Sequence, residues 1–251
     1  MPKQIYHKEW FDSWFSSPYY EMLYAKRDEA EAHAFLQRLI SWLNPKDGSY
    51  MLDVACGKGR YSKVLAEMGF DVVGIDLAEK SIREAQKMET TNLHFIVHDM
   101  RKPFFFFFFD YAFNFFTSFG YFKTLHEHHD ALQAIAQSLK WNGIFVIDYL
   151  NVSITGKQLV PDETKKIGHV VFQINKWQDN THFYKQIDIR DNKNNFHQTF
   201  EEKVRKFSCV DFIEMLSWKR LQVDAIFGDY ALNVYDSENS PRLILVAKKI
   251  E

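Results

Sequence analysis

Between residues 28 and 150 the chain alternates two rhythms. Phe35, Leu36, Leu39, Ile40 and Leu43 recur at helical spacing, with Asp28 as the expected cap and Glu31 at the capping-box position. The turn Asn44-Pro45-Lys46-Asp47-Gly48 follows. Apolar runs then predict strands at Met51–Ala55, Asp71–Ile75, Leu93–Val97, Asp110–Phe116 and Gly143–Tyr149. Amphipathic stretches at Arg60–Met68, Glu79–Met88 and Leu125–Leu139 predict the helices between them. Strands that alternate with helices imply a parallel sheet covered on both faces. Right-handed crossovers place the strand C-termini on one edge, where ligands bind at the point of strand-order reversal.

After Asn151 the period becomes two. Gly168–Gln178, His182–Arg190 and Phe196–Phe207 read as an antiparallel meander, turning at Asp179-Asn180 and over Asp191–Asn195. A helix is expected near Val210–Trp218. Strands at Leu221–Phe227 and Arg242–Lys248 are expected to return to the main sheet as a hairpin. The fold class is therefore α/β: a Rossmann-like, doubly wound, mostly parallel seven-stranded sheet with helices on both faces and an antiparallel β insertion after strand five. Residues 1–251 read as one domain, with an aromatic leader over 1–27 and the insertion over 152–207. Leader and insertion suit either a lid over a pocket or a homodimer surface.

Composition narrows the class. The 251 residues are 46% hydrophobic and 25% charged, with a formal net charge of −2, so no basic field exists to hold a nucleic acid. Cys56 and Cys209 cannot build a disulfide framework, which suits a reducing, cytoplasmic setting. No apolar run reaches membrane-spanning length, and a signal-peptide core is missing from the first residues. Phe104 to Phe109 are six consecutive phenylalanines. They read as an apolar wall beside a pocket, as a run partly buried ahead of the next strand, or as letters standing in for residues poorly identified in the sequence; no role is assigned to them.

The chemistry concentrates at four strand ends. Asp53-Val54-Ala55-Cys56-Gly57-Lys58-Gly59 closes the first strand with an acid and a glycine turn. Glycine permits positive φ and close backbone approach. Asp76 closes the second strand, at the point where dinucleotide-binding folds place an acid for ribose hydroxyls. His98-Asp99-Met100 closes the third and Asn114-Phe115-Phe116-Thr117-Ser118-Phe119-Gly120-Tyr121 the fourth. An NAD site would want glycine or alanine where Ser62 stands. His126, His128 and His129 read as a solvated helix start, and no metal is expected. Cys56 reads as a small turn residue.

This set resembles the class I S-adenosylmethionine-dependent methyltransferases, of the small-molecule, glycine N-methyltransferase-like type. The resemblance covers about residues 20–150 and extends loosely to the last strands. It implies methyl transfer from S-adenosylmethionine to an N or O atom of a small molecule by in-line displacement. A non-catalytic cofactor-binding protein on the same fold is the alternative, with an NAD-dependent oxidoreductase behind it. By the resemblance, Asp53 holds the methionine amino group, and Ala55, Gly57 and Gly59 face the methionine and ribose portions. Asp76 takes the ribose hydroxyls and Leu77 lies against adenine. Asp99 takes the adenine amine, Met100 flanks the ring, and Asn114 lies near the methionine end. Tyr24 and Arg27 would clamp the cofactor carboxylate. Candidate bases are Asp148 and Tyr149 after strand five, with His169, His182 and His197 in the meander and Tyr6 and His7 in the leader; none is singled out.

Overall fold

The computed structural model describes residues 10–15, 17–24 and 29–251. Tyr6, His7, Arg27 and the expected cap Asp28 lie outside them, as does the side chain of Glu31. The chain divides into two compact units. One joins Met1–Arg27 to Leu159–Val204; the other joins Asp28–Gln158 to Arg205–Glu251.

The larger unit carries the seven-stranded sheet. Its elements in chain order are α3 (Glu29–Leu43), β1 (Tyr50–Val54), α4 (Arg60–Glu67), β2 (Asp71–Asp76), α5 (Glu79–Ala85), β3 (Leu93–Val97), β4 (Phe109–Asn114), α6 (Leu125–Ser138), β5 (Leu139–Leu150), α7 (Val152–Lys157), α8 (Cys209–Ser217), β10 (Leu221–Phe227) and β11 (Arg242–Lys249). The strand order is β10-β11-β5-β4-β1-β2-β3. β1 pairs in parallel with both β2 and β4, so the order reverses between β1 and β4. β11 is antiparallel to β5 and β10, as the expected hairpin requires. Central strands are apolar because both of their faces are covered: Met51, Leu52, Val54, Phe113, Val146 and Ile244 are all within 1% of full burial. Capping boxes fix the starts of α6 (Thr124 with Glu127) and α8 (Ser208 with Asp211).

Two differences from the sequence reading have local causes. β5 begins at Leu139, not Gly143. Leu139 pairs with Phe109, and Asn142 turns the chain at φ 63 before the ladder resumes at Ile144. The short helix α7 was not expected; Asn151 caps it by accepting from the Ser153 amide. The six phenylalanines run into the start of β4, the end opposite Asn114. Phe109 is buried in the strand, while Phe106 and Phe107 are exposed.

The smaller unit joins the two segments that the sequence reading kept apart. Its sheet has the order β6-β7-β8-β9, from β6 (Asp162–Ile167), β7 (Val170–Gln178), β8 (His182–Asp191) and β9 (Phe196–Arg205, which ends just past the unit). The helices α1 (Trp10–Phe15) and α2 (Pro18–Tyr24) pack on it. Trp14 and Leu23 share a core with Phe172, Ile187, Ile189 and Phe200. Trp14 Nε1 and the Tyr24 hydroxyl both donate to Glu202 Oε1, at 2.6 and 2.8 Å. β6 escaped the sequence reading because its segment, Asp-Glu-Thr-Lys-Lys-Ile, is an edge strand with little apolar signal.

Candidate functional site

The site is built at the C-terminal ends of β1, β2, β3 and β4. The chain leaves β1 through Ala55, Gly57 and Gly59, all at positive φ (60, 58 and 76). Asp76 holds this turn. One of its carboxylate oxygens accepts from the Gly57 amide and the other from the Ala78 amide, each at 2.8 Å. The glycines differ in their surroundings. A Cβ at Gly59 would stand 2.3 Å from the Phe95 ring, so Gly59 is needed for packing. A Cβ at Gly57 would meet nothing within 4 Å among the described residues.

Asp53 is fully buried and accepts from the Ser62 hydroxyl at 2.6 Å. Burial pushes its carboxyl up to about 7, against the opposing effect of the Ser62 hydrogen bond. Ser62, at the third position of the glycine pattern, therefore supports the first acid. Burial also pushes the Cys56 thiol well up, with Asp53 and Asp76 adding to the shift, so Cys56 is an inert turn residue.

Asp99 is buried at the end of β3 and is gripped by Arg101, whose Nε and Nη2 lie 2.8–3.1 Å from its two oxygens. Burial alone would raise its pKa; Arg101 outweighs burial and holds the carboxyl below its ordinary value. Arg101 also binds Glu127 at 2.7 Å, which ties the β3 end to the start of α6. Leu77 and Met100 are half-buried beside these acids in sequence. Asn114 is fully buried. Its Nδ2 donates to the Val54 carbonyl at 3.0 Å, and its Oδ1 has no hydrogen-bond partner among the described residues.

Past Asn114 the backbone takes two consecutive left-handed residues, Phe116 (φ 61) and Thr117 (φ 58). Neither is glycine, so the turn is strained and must be held. Asp148 holds it. Its Oδ2 accepts from the Phe116 amide at 2.8 Å and from the Tyr230 hydroxyl at 3.0 Å; Oδ1 receives Arg242 Nη2 at 2.7 Å. The Asp148 carbonyl accepts from the Thr117 amide, and Arg242 also donates to Thr117 Oγ1. Arg242, Tyr230 and Thr117 were missed by the sequence reading. The one available signal was a cation at the head of the otherwise apolar strand Leu243–Ala247.

The candidate bases fare differently. Asp148 is buried and engaged as above. The Tyr149 hydroxyl donates to the Arg205 carbonyl, and burial pushes its pKa well up. Both side chains are engaged in contacts that hold the fold. His169 lies in the smaller unit, 45% exposed and 3.3 Å from Asp191. His197 pairs with Asp188, and His182 bonds Thr181. Tyr24 also belongs to the smaller unit, where it contacts Glu202 and Lys185. His128 corrects the reading of a solvated helix start. It is fully buried, packs edge-on against Phe119, Phe122 and Phe207, and is pushed down to about 4 by burial.

The residues present fit an adenosyl sulfonium. Three strand-end carboxylates and the Asn114 oxygen, which has no partner among the described residues, are acceptors of the kind that hydroxyls, amines and a positive centre require. A family model described as a methyltransferase domain matches residues 45–204. "Putative methyltransferase YqeM" of Bacillus subtilis is 28% identical over 239 residues, covering 88% of this chain and 94% of that protein. A solved S-adenosylmethionine-dependent methyltransferase from Clostridium acetobutylicum superposes with a TM-score of 0.78 at 17% identity, over 93% of this chain and 96% of that one. The sugar N-methyltransferase KedS8 from Streptoalloteichus superposes at 0.72 with 20% identity, over 92% and 93%. At these identities the two structures speak for the fold alone.

Proposed function

This chain belongs to the methyltransferase domain family, and from that premise we propose that it moves a methyl group from S-adenosylmethionine to an N or O atom of a small molecule. The observation that carries the reading is the open, positive-φ Gly57 turn tied to the Asp76 carboxylate. Bound there, the sulfonium supplies an already activated methyl group. The chain's own residues then bind, align and exclude water. Asp76 would take the ribose hydroxyls, since carboxylate oxygens accept more than one donor each. Asp99, fixed in direction by Arg101, would take the adenine amine, with Leu77 and Met100 against the ring. Asp53 and Asn114 Oδ1 would receive the methionine ammonium. A small acceptor is favoured over a nucleic acid by the net charge of −2. No described helix is long and apolar enough to cross a membrane.

Thermal denaturation with S-adenosylmethionine, S-adenosylhomocysteine and NAD tests the reading, because a ligand of the native state raises the midpoint. The two adenosyl sulfur compounds should raise it and NAD should not. Stabilisation by NAD alone would overturn the proposal. Transfer of a labelled methyl group into a metabolite extract then separates an enzyme from a cofactor-binding protein.

A further inference from the structure

Two guanidinium groups flank the Phe116 ring, each 5.8 Å from its centroid. Arg242 is neutralised by Asp148. Arg60 is not. It is half-buried, donates once to the Tyr61 hydroxyl at 3.2 Å, lies 4.7 Å over the Tyr61 ring, and makes no ion pair among the described residues. An arginine carries five N–H donors, and the aromatic faces satisfy none of the remaining four as an anion would. Its position sharpens the point. Arg60 opens α4, whose first turn holds no acid, so a cation sits at the positive end of the helix dipole. An anion beside Arg60 offsets both costs at once.

Place decides what kind of anion. Arg60 follows Gly59 at the end of β1 and meets Phe116 past the end of β4, so it stands where strand order reverses. Asp76 lies on the other flank of the glycine turn, at the end of β2. Asp53, buried in β1, feels both Asp76 and Arg60, and Arg60 is the cation of this group of strand-end charges. The guanidinium fork matches a planar carboxylate in two parallel hydrogen bonds. We propose that Arg60 is a carboxylate receptor of this site, for a carboxylate delivered either by the methionine half of the donor or by the methyl acceptor. The assignment rests on the function proposed above.

The test compares wild type with Arg60→Gln, whose ligand-free melting midpoint first confirms folding. Titration calorimetry uses S-adenosylhomocysteine and 5′-methylthioadenosine, which share the adenosyl thioether; only the first carries the amino-acid portion with its ammonium and carboxylate, and only the carboxylate can pair with a guanidinium. If the donor supplies the group, Arg60→Gln weakens S-adenosylhomocysteine at least tenfold and leaves methylthioadenosine within twofold. If the acceptor supplies it, both nucleosides bind unchanged, while benzoate stabilises wild type in the thermal assay and fails to stabilise Arg60→Gln. Arg60→Lys should restore part of either effect. Equal weakening of both nucleosides, or no change in any arm, overturns the proposal. Failure of wild type to bind either nucleoside overturns the proposed function instead, and the benzoate comparison still decides the role of Arg60.

Discussion

The Gly57 amide donates to Asp76 Oδ2 at 2.8 Å, so the acid at the end of β2 shapes the turn at the end of β1. One carboxylate thus shapes the turn of the candidate site. Asp76→Ala leaves the amides of Gly57 and Ala78 without their acceptor, each loss being worth about 1 kcal/mol. Urea unfolding should show a loss of about 2 kcal/mol. The midpoint rise with S-adenosylhomocysteine should vanish in the same variant; a full rise would refute the ribose assignment.

Gly57 and Gly59 should separate binding from stability. Gly59→Ala drives a methyl group into Phe95 at a left-handed position and should cost about 2–5 kcal/mol, the sum of overpacking and backbone strain. Gly57→Ala meets open space and should cost only about 1–2 kcal/mol of strain. Its methyl group nevertheless occupies the proposed cradle, so nucleoside affinity should fall at least tenfold. Calorimetry and chemical denaturation of both variants check the split. Normal binding by Gly57→Ala would place the ligand elsewhere.

Arg242→Met should be among the most destabilising single changes in the larger unit. It strands the fully buried Asp148 carboxylate, and breaking a buried pair from one side costs about 3–5 kcal/mol. The same change frees the strained Phe116-Thr117 turn. Hydrogen exchange at the Phe116 and Thr117 amides should accelerate more than at the β1 amides. Uniform protection would mean that Asp148 does not hold the turn.

The pH profile carries two opposed contributions. Asp53, pushed up to about 7, keeps its proton in the fold after the unfolded chain has lost it. Its contribution to stability is therefore present below about pH 4 and is lost as pH rises through 7. His128, pushed down to about 4, stays neutral in the fold while the unfolded chain takes up a proton. Its contribution is present above about pH 6.5 and is lost as pH falls through 4. Between these limits the two slopes oppose each other. Asp53→Asn removes the first, so its stability should rise from pH 4 to 6.5 and exceed that of wild type at pH 8. Superimposable profiles would show that Asp53 is not raised.

Periodicity alone exposed the doubly wound sheet, because each strand and helix of the larger unit buries a face with its own repeat. The four motif segments were legible for a related reason. A glycine turn and three strand-end acids lie within 47 residues (Asp53 to Asp99), and parallel topology brings consecutive strand ends together whatever the side chains in between. Tertiary structure decided the rest. Ser62 looked only like a missing glycine until folding set it against Asp53. Asp148 was one of several candidate bases in the sequence; folding set Arg242, 94 residues away, against its oxygens. The leader and the insertion looked like separate attachments; Trp14 and Glu202, 188 residues apart, make them one unit. Local pattern specifies which faces must be buried. Which distant partner satisfies a buried charge or a strained turn is settled only when the chain closes on itself.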